Sequence, residues 1–385
     1  MTPLNDLPVD LDRALLVGRV WRPAPIDGPS VVNVRQGRVV DLTPLAPTLA
    51  DLLDRPDRLA IVREGQGEDL GPVADLLARS LAGDATAGPV LLAPCDLQPV
   101  KAAGVTFAVS LLERLIEEQA GGDASQAEVV RARIHALIGS DLSQLRPGSP
   151  QAMALKAELQ ARGQWSQYLE VGIGPDAEVF SKAPPMASLG TGAWVGLLPQ
   201  SEWNNPEPEV VLAVDSRGQA VGATLGNDVN LRDVEGRSAL LLTKAKDNNG
   251  SCAIGPFVRL FDEHYTLDDM RQDDVSLRIE GEDGFVLDGV SHMREISRDP
   301  LDLVRQASEF HQYPDGFMLF LGTMFSPTQD RAGQGSGFTH RQGDVVRIAT
   351  PRLGALVNRV GLCNGIAPWT FGVRALYASL RKRGL

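Results

Sequence analysis

At 385 residues, 43% hydrophobic and 22% charged, the chain has an ordinary globular composition, enough for two or three domains and not that of a largely disordered protein. Its 49 acidic against 37 basic residues give a formal charge of −12, which repels phosphate backbones and anionic lipid and argues against nucleic-acid or membrane partners. Met1–Arg13 lacks the apolar core of a signal peptide, no run approaches a ~20-residue bilayer span, and the cysteines (Cys95, Cys252, Cys363) are scattered and odd in number, so a reducing cytoplasm is expected.

Residues 1–95 read as a small α+β domain. Ala14–Trp21, Ser30–Val34 and Gly37–Val40 are short β-branched runs between Pro/Gly turns, and predict strands. Leu45–Leu53 and Pro72–Leu81 carry apolar residues at helical spacing, and Gly83–Pro89 reads as a loop or linker. Residues 96–385 read as a second, β-rich domain. It opens with an amphipathic helix over Thr106–Glu118, with Phe107, Leu111, Leu112 and Leu115 on one side and Glu113, Arg114, Glu117 and Glu118 elsewhere. Helical patterns at Gln126–Ile138 and Pro150–Gly163 predict an insert at about 121–163. Beyond Val179, the runs Val210–Val214, Ala220–Leu225, Val275–Ile279, Phe317–Leu321 and Val345–Ile348 predict an antiparallel or mixed sheet folded on itself, with one clear helix at Pro300–Phe310. The fold class is α+β.

Chemistry concentrates at Pro206-Glu207-Pro208-Glu209, which opens an apolar strand. Two carboxylates at i and i+2 on a strand share a face and repel each other unless a cation lies between them. Asp228 follows the run Ala220–Leu225, and an antiparallel return there would bring a third carboxylate to the first two. Three acidic oxygen ligands suit Mg²⁺ or Mn²⁺. The five histidines form no His-x-x-x-His pair, which argues against zinc. Lys246 lies further along, where a lysine beside a metal polarises a carbonyl or acts as a base. The stretch Leu321–Ser326, with Gly322 and Thr323, offers amide and hydroxyl donors to a carboxylate. Gly333–Gly337 lacks the helix and lysine of a phosphate loop and reads as a turn.

Taken in order, Val100–Gly104, Phe180-Ser181-Lys182, Glu207-Pro208-Glu209, Asn227-Asp228 with Arg232-Asp233, Lys246, Gly255-Pro256, Gly322-Thr323, Gly343–Val346 and Leu353–Val360 resemble the fumarylacetoacetate hydrolase family. The resemblance implies a β-rich catalytic fold, a Mg²⁺ or Mn²⁺ held by Glu207, Glu209 and Asp228, and a 2-oxo acid or 1,3-dicarbonyl acid as the small-molecule substrate. It also implies a homodimer or homotetramer. Hydrolytic members carry a Gly-x-Asn-Tyr-x-x-His-x-x-Glu pattern; laid from Gly104, its His falls on Ser110 and its Glu on Glu113. Serine is no base for water near neutral pH.

That departure points to the branch that dehydrates 2-keto-3-deoxy sugar acids, which Glu178 and the tail Ile366–Gly372 also resemble. The expected reaction is dehydration of a 2-keto-3-deoxypentonate (the 2-keto-3-deoxy-D-xylonate type) to 2,5-dioxopentanoate in pentose catabolism. Glu178 and Lys246 are the expected acid/base pair, in either order, with Phe180, Lys182 and Thr323 binding substrate. Arg232 is read as a structural ion pair with Asp233 in preference to a carboxylate ligand. Glu113 is either a water-positioning group or a helix-surface acid. The alternatives are a C–C hydrolase of acylpyruvates or 2,4-diketo sugar acids, a 2-oxo-acid decarboxylase, and an inactive 2-oxo-acid sensor.

Overall fold

The apolar run after Glu209 forms the strand Pro208–Val214, buried along its whole length. Its residues serve two cores in alternation: Val210, Leu212 and Val214 enter one apolar cluster, Val211 and Ala213 another, as the two-residue period of a strand requires. A computed structural model describes residues 6–130, 145–163, 165–333 and 337–385.

Among the described residues, 11 strands form one sheet. Its order is Glu68–Pro72, Arg38–Asp41, Gly28–Arg35, Leu16–Arg22, Cys252–Leu260, Ala220–Asp228, Pro208–Val214, Phe317–Phe320, Val100–Gly104 and Glu178–Ala183, with Val90–Leu92 also on Leu16–Arg22. Leu16 pairs with Arg259 and Val17 with Val258, so strands from either side of the boundary expected near residue 95 share this sheet. A 5-stranded sheet, ordered Val286–His292, Asp274–Glu280, Val345–Thr350, Gly354–Leu362 and Trp194–Leu197, encloses the first cluster, supplying Val275, Leu277, Ile279, Val346, Ile348 and Leu356. Between these strands the described pairings are antiparallel except Phe317–Phe320 with Val100–Gly104 and Gly354–Leu362 with Trp194–Leu197. The fold is thus the α+β, sheet-rich class that the sequence predicts.

Local chemistry explains where the helices start and stop. The helix expected from Leu45 begins at Leu49, because Thr48 accepts from the Asp51 amide while the Asp51 side chain bonds back, a reciprocal cap that fixes the first turn. The helix expected over Pro72–Leu81 spans Val73–Ala82 and ends where Gly83 takes a φ of 69°. The amphipathic helix spans Ala108–Ala120, the insert contains Pro150–Ala161, and the late helix is Pro300–Ser308. Of the pattern Gln126–Ile138, Gln126 closes a 3-10 turn, residues 127–130 are helical and residues 131–138 lie outside the described residues, as does most of Gly333–Gly337. Some elements carry too short or too polar a signal to be anticipated. Among them are the helix Arg58–Glu64, the strands Glu68–Pro72 and Val90–Leu92, and the C-terminal helix Val373–Lys382. The last rests against Gly28–Arg35, where Arg383 donates to the Pro29 carbonyl at 2.8 Å. No helix among the described residues is long and apolar enough to cross a membrane.

Candidate metal centre and active site

Strand pairing assembles the acidic trio. Pro208 pairs with Asn227 and Glu209 with Gly226, and the Asp228 amide donates to the Glu207 carbonyl at 3.0 Å. The hairpin therefore sets Asp228 beside the Glu-x-Glu pair. One carboxylate oxygen from each of Glu207, Glu209 and Asp228 lies within 4.8 Å of the others, and all three side chains are buried.

Cations hold two of the three. Lys246 Nζ lies 2.5 Å from Glu207 and 3.1 Å from Asp228, and Lys182 Nζ lies 2.7 Å from the other Asp228 oxygen. Burial opposes ionisation of Glu207, but Arg114 and Lys246 overcome it and hold its carboxyl at about 2. Glu209 is held differently. Its polar contacts are the Gly322 amide at 2.7 Å and the Thr323 hydroxyl at 3.4 Å, neither of them cationic. Burial, then the charges of Asp228 and Glu207, push its carboxyl well above the ordinary range. Gly322 delivers that amide at a φ of +107°, and a Cβ there would collide with the Thr106 hydroxyl.

A hard divalent cation fits this donor set. Three buried carboxylates converge, all donors are oxygen, and the repulsion loaded on Glu209 is what such an ion relieves. Lys246 is buried among these same carboxylates. Burial works against its charge, yet Asp228, Glu207 and Glu235 together hold its pKa well above normal. The Lys182 ammonium also donates to the Lys246 carbonyl.

Glu178 opens the edge strand Glu178–Ala183, directly opposite Gly104. A side chain at 104 would strike the Glu178 carboxylate, so glycine makes the recess in which that group sits. Burial there, followed by the charge of Glu235, raises the Glu178 carboxyl to about 7, against the pull of Arg114 and Lys246. Phe180 is half-buried against the apolar cluster that includes Ala102, Ala183 and Phe320.

The helix Ala108–Ala120 departs most from the sequence expectation. Leu111, Leu115 and Ile116 pack into a helical cluster with Tyr168, Leu169 and Trp203. Its polar side is not solvated: Glu113, Arg114 and Glu117 are buried. Arg114 bridges Glu207 at 2.6 Å, Glu117 at 2.6 Å and Glu235 at 2.7 Å. Arg232 lies 3.3 Å from Glu117 and 3.7 Å from Glu113, donates to Asn205 at 2.7 Å, and stacks on Trp203 at 5.5 Å.

Two expectations are corrected here. Arg232 does not pair with Asp233, whose carboxylate instead accepts from the Ser201 hydroxyl and the Glu202 amide. Glu113 is not a helix-surface acid. The reason is common to both: the segment Arg232–Glu235 packs on the helix, so Arg232 and Glu235 turn toward its polar side. Ser110, at the position of the hydrolytic histidine, spends its hydroxyl on the Phe107 carbonyl at 2.8 Å.

Arg114, Glu117 and Glu235 went unanticipated. Their one sequence signal is a run of charges at i, i+3 and i+4 on a helix, which usually marks a solvated face. Among the described residues, Glu113, Glu117, Glu178, Glu207, Glu209, Asp228 and Glu235 face Arg114, Lys182, Arg232 and Lys246, and the raised carboxyls of Glu178, Glu209 and Glu235 reflect this excess of acidic groups, which a divalent ion offsets.

Residues 184–361 match the family model for the fumarylacetoacetate (FAA) hydrolase C-terminal domain. Over 193 residues the chain is 32% identical to the probable 2-keto-3-deoxyxylonate dehydratase of Haloferax volcanii, covering 50% of this chain and 63% of that protein. Over 186 residues it is 30% identical to the 2-dehydro-3-deoxy-D-arabinonate dehydratase of Saccharolobus solfataricus, covering 48% of this chain and 58% of that protein. Both matches span less than two thirds of the relative's own length. The apo structure of a 2-keto-3-deoxy-D-arabinonate dehydratase is similar at a TM-score of 0.63 and 20% identity, over 90% of this chain and 99% of that one. A structure of that enzyme complexed with magnesium and 2,5-dioxopentanoate is similar at a TM-score of 0.62 and 19% identity, over 90% and 99% of the two chains. The family match begins just after the strand that carries Glu178. The segment 184–361 that matches the fumarylacetoacetate (FAA) hydrolase C-terminal model contains Glu207, Glu209, Asp228, Lys246 and Thr323.

Proposed function

We propose that the protein is a Mg²⁺- or Mn²⁺-dependent hydro-lyase that dehydrates a 2-keto-3-deoxypentonate to 2,5-dioxopentanoate. The observation that carries this reading is the convergence of three buried carboxylates, with Glu178, whose pKa is raised to about 7, within electrostatic reach of Glu207 and Lys246. The names of the two dehydratase relatives and the magnesium–dioxopentanoate complex of a structural neighbour support the same substrate class.

Glu207, Glu209 and Asp228 are the residues that would hold the ion. When bound, it supplies Lewis acidity that stabilises negative charge on the substrate's 2-oxo oxygen as a C3 proton leaves. Glu178 is the proton-transfer group: a carboxyl titrating near 7 is populated in both states at neutral pH, so it can take a proton at carbon and return one to oxygen. Lys246, held as an ammonium, is a fixed cation and hydrogen-bond donor rather than the base. Loss of the C3 proton and the C4 hydroxyl removes one water, and proton shifts from C5 convert the remaining alcohol to the aldehyde. Lys182 and Thr323 belong to the substrate-facing wall in this reading, Lys182 through Asp228 and Thr323 through Glu209. Phe180 is proposed as the apolar contact. A homo-oligomer in the cytoplasm, engaged in pentose catabolism, is part of the same proposal.

The hydrolase alternative needs a base at position 110, and the Ser110 hydroxyl is committed to a backbone carbonyl. A product assay on D- and L-configured 2-keto-3-deoxypentonates separates the two. The proposal expects loss of one water with all five carbons retained, and release of pyruvate would overturn it.

A further inference from the structure

Outside this site, a cavity of about 490 Å³ opens where the segment Met293–Pro300 meets Arg146 and Arg271. Four arginines line it, Arg146, Arg271, Arg294 and Arg298, together with Asp299 and Asp302. None of these residues belongs to the acidic trio or touches it. In a chain of charge −12, four guanidinium groups around one cavity are unusual, because like charges repel unless an anion lies among them.

Carboxylates within the protein satisfy part of this charge. Arg271 pairs with Asp268 at 2.5 Å and Asp299 at 2.7 Å, Arg294 pairs with Asp274 at 3.1 Å, and Asp302 is held by Arg305 at 2.7 Å. Arg298 is different. It is 4% exposed, and its guanidinium donates to backbone carbonyls of Val171, Gly174, Pro175 and Asp176 with no carboxylate in contact. Its Nε has no hydrogen-bond partner, nor has that of Arg271. The exposed Arg146 side chain makes no ion pair among the described residues. The helix Pro300–Ser308 starts at the same wall, its first turn already capped by Asp299, which accepts from the Leu301 amide at 2.8 Å.

We infer that this cavity is a binding site for a small phosphorylated anion. Two guanidinium groups without carboxylate partners, and two more that each keep a further N–H for a ligand, offer donors around one cavity to a group with several charged oxygens. The volume suits a ligand of sugar-phosphate size. The site also abuts the active-site scaffold. Ser297 donates from its amide and its hydroxyl to the Thr106 carbonyl at 2.8 Å, just ahead of the helix that carries Arg114. Arg298 grips the carbonyls of the loop that leads into Glu178.

The test is calorimetric titration of inorganic pyrophosphate into the chelator-treated full chain at low salt. We expect saturable binding of one equivalent, weakened by added NaCl, and reduced at least tenfold in Arg146→Ala/Arg294→Ala. Both of those side chains are exposed, so the variant is expected to fold, which circular dichroism checks. Absence of saturable binding, or binding of equal affinity in the double variant, overturns the assignment. Because the ion that the acidic trio would hold is removed beforehand, either result stands apart from the dehydratase reading.

Discussion

Arg114 Nη2 lies 2.6 Å from Glu207 Oε1, within a buried network that also ties Arg114 to Glu117 and Glu235. A helix that reads from its sequence as merely amphipathic thereby supplies the charge that keeps a candidate metal ligand ionised. Replacing Arg114 by Met should remove the cation that three buried carboxylates share, leaving Glu207 only Lys246 and Glu117 only Arg232, and costing about 3–5 kcal/mol of stability, as breaking a buried pair commonly does. Urea denaturation in the presence of chelator measures this. A loss below about 1 kcal/mol, the scale of an exposed ion pair, would contradict the network's assigned role.

Glu209 should behave in the opposite sense. Its carboxyl is pushed up by burial and by Asp228 and Glu207, so Glu209→Gln removes repulsion from the metal-free protein and raises its melting midpoint. The same variant should lose stabilisation by Mg²⁺, which for the parent is about 2.7 kcal/mol at a hundredfold excess over Kd. Thermal melts with and without Mg²⁺ test both halves. A variant destabilised in chelator, or still stabilised by Mg²⁺ like the parent, counts against this account of Glu209.

The raised pKa of Glu178 has a signed consequence. Between 4.5 and about 7 the folded protein keeps a proton that the unfolded chain has already lost. The stability this group contributes is therefore complete below pH 4.5 and disappears as pH rises through about 7. Relative to Glu178→Gln, the parent should lose stability across that window, and parallel melting curves from pH 4 to 8 would refute the shift. The variant should also lose about 10²–10⁴ in kcat if Glu178 transfers the proton.

Ser110→Ala should leave turnover within about twofold of the parent, since the hydroxyl serves only the Phe107 carbonyl, and should cost about 1 kcal/mol of stability. Steady-state kinetics on the 2-keto-3-deoxypentonate decides the matter. A hundredfold loss would mean that Ser110 takes part in the chemistry.

How far the site could be read from sequence depends on the range of the contacts involved. Glu207, Glu209 and Asp228 were legible because they lie on two strands of one hairpin, where alternation and a single register place them. Glu178 and Lys246 were reached through ordered landmarks rather than from geometry. The Arg114–Glu117–Glu235 network was not legible. Its helix and the segment Arg232–Glu235 meet only in the folded chain, and charges at helical spacing look the same whether water or protein covers them. Arg232 failed likewise, because its neighbour Asp233 offered a local partner that the fold turns toward Ser201. For the N-terminal strands, the pairing of Leu16 with Arg259 is equally invisible along the chain.

Manganese titration of the chelator-stripped chain, followed by electron paramagnetic resonance, addresses the shared cation most directly. Occupancy should saturate at one Mn²⁺ per chain, with affinity falling at least tenfold in both Glu207→Gln and Asp228→Asn. One ion bound with parental affinity in both variants would mean that those carboxylates do not meet around it.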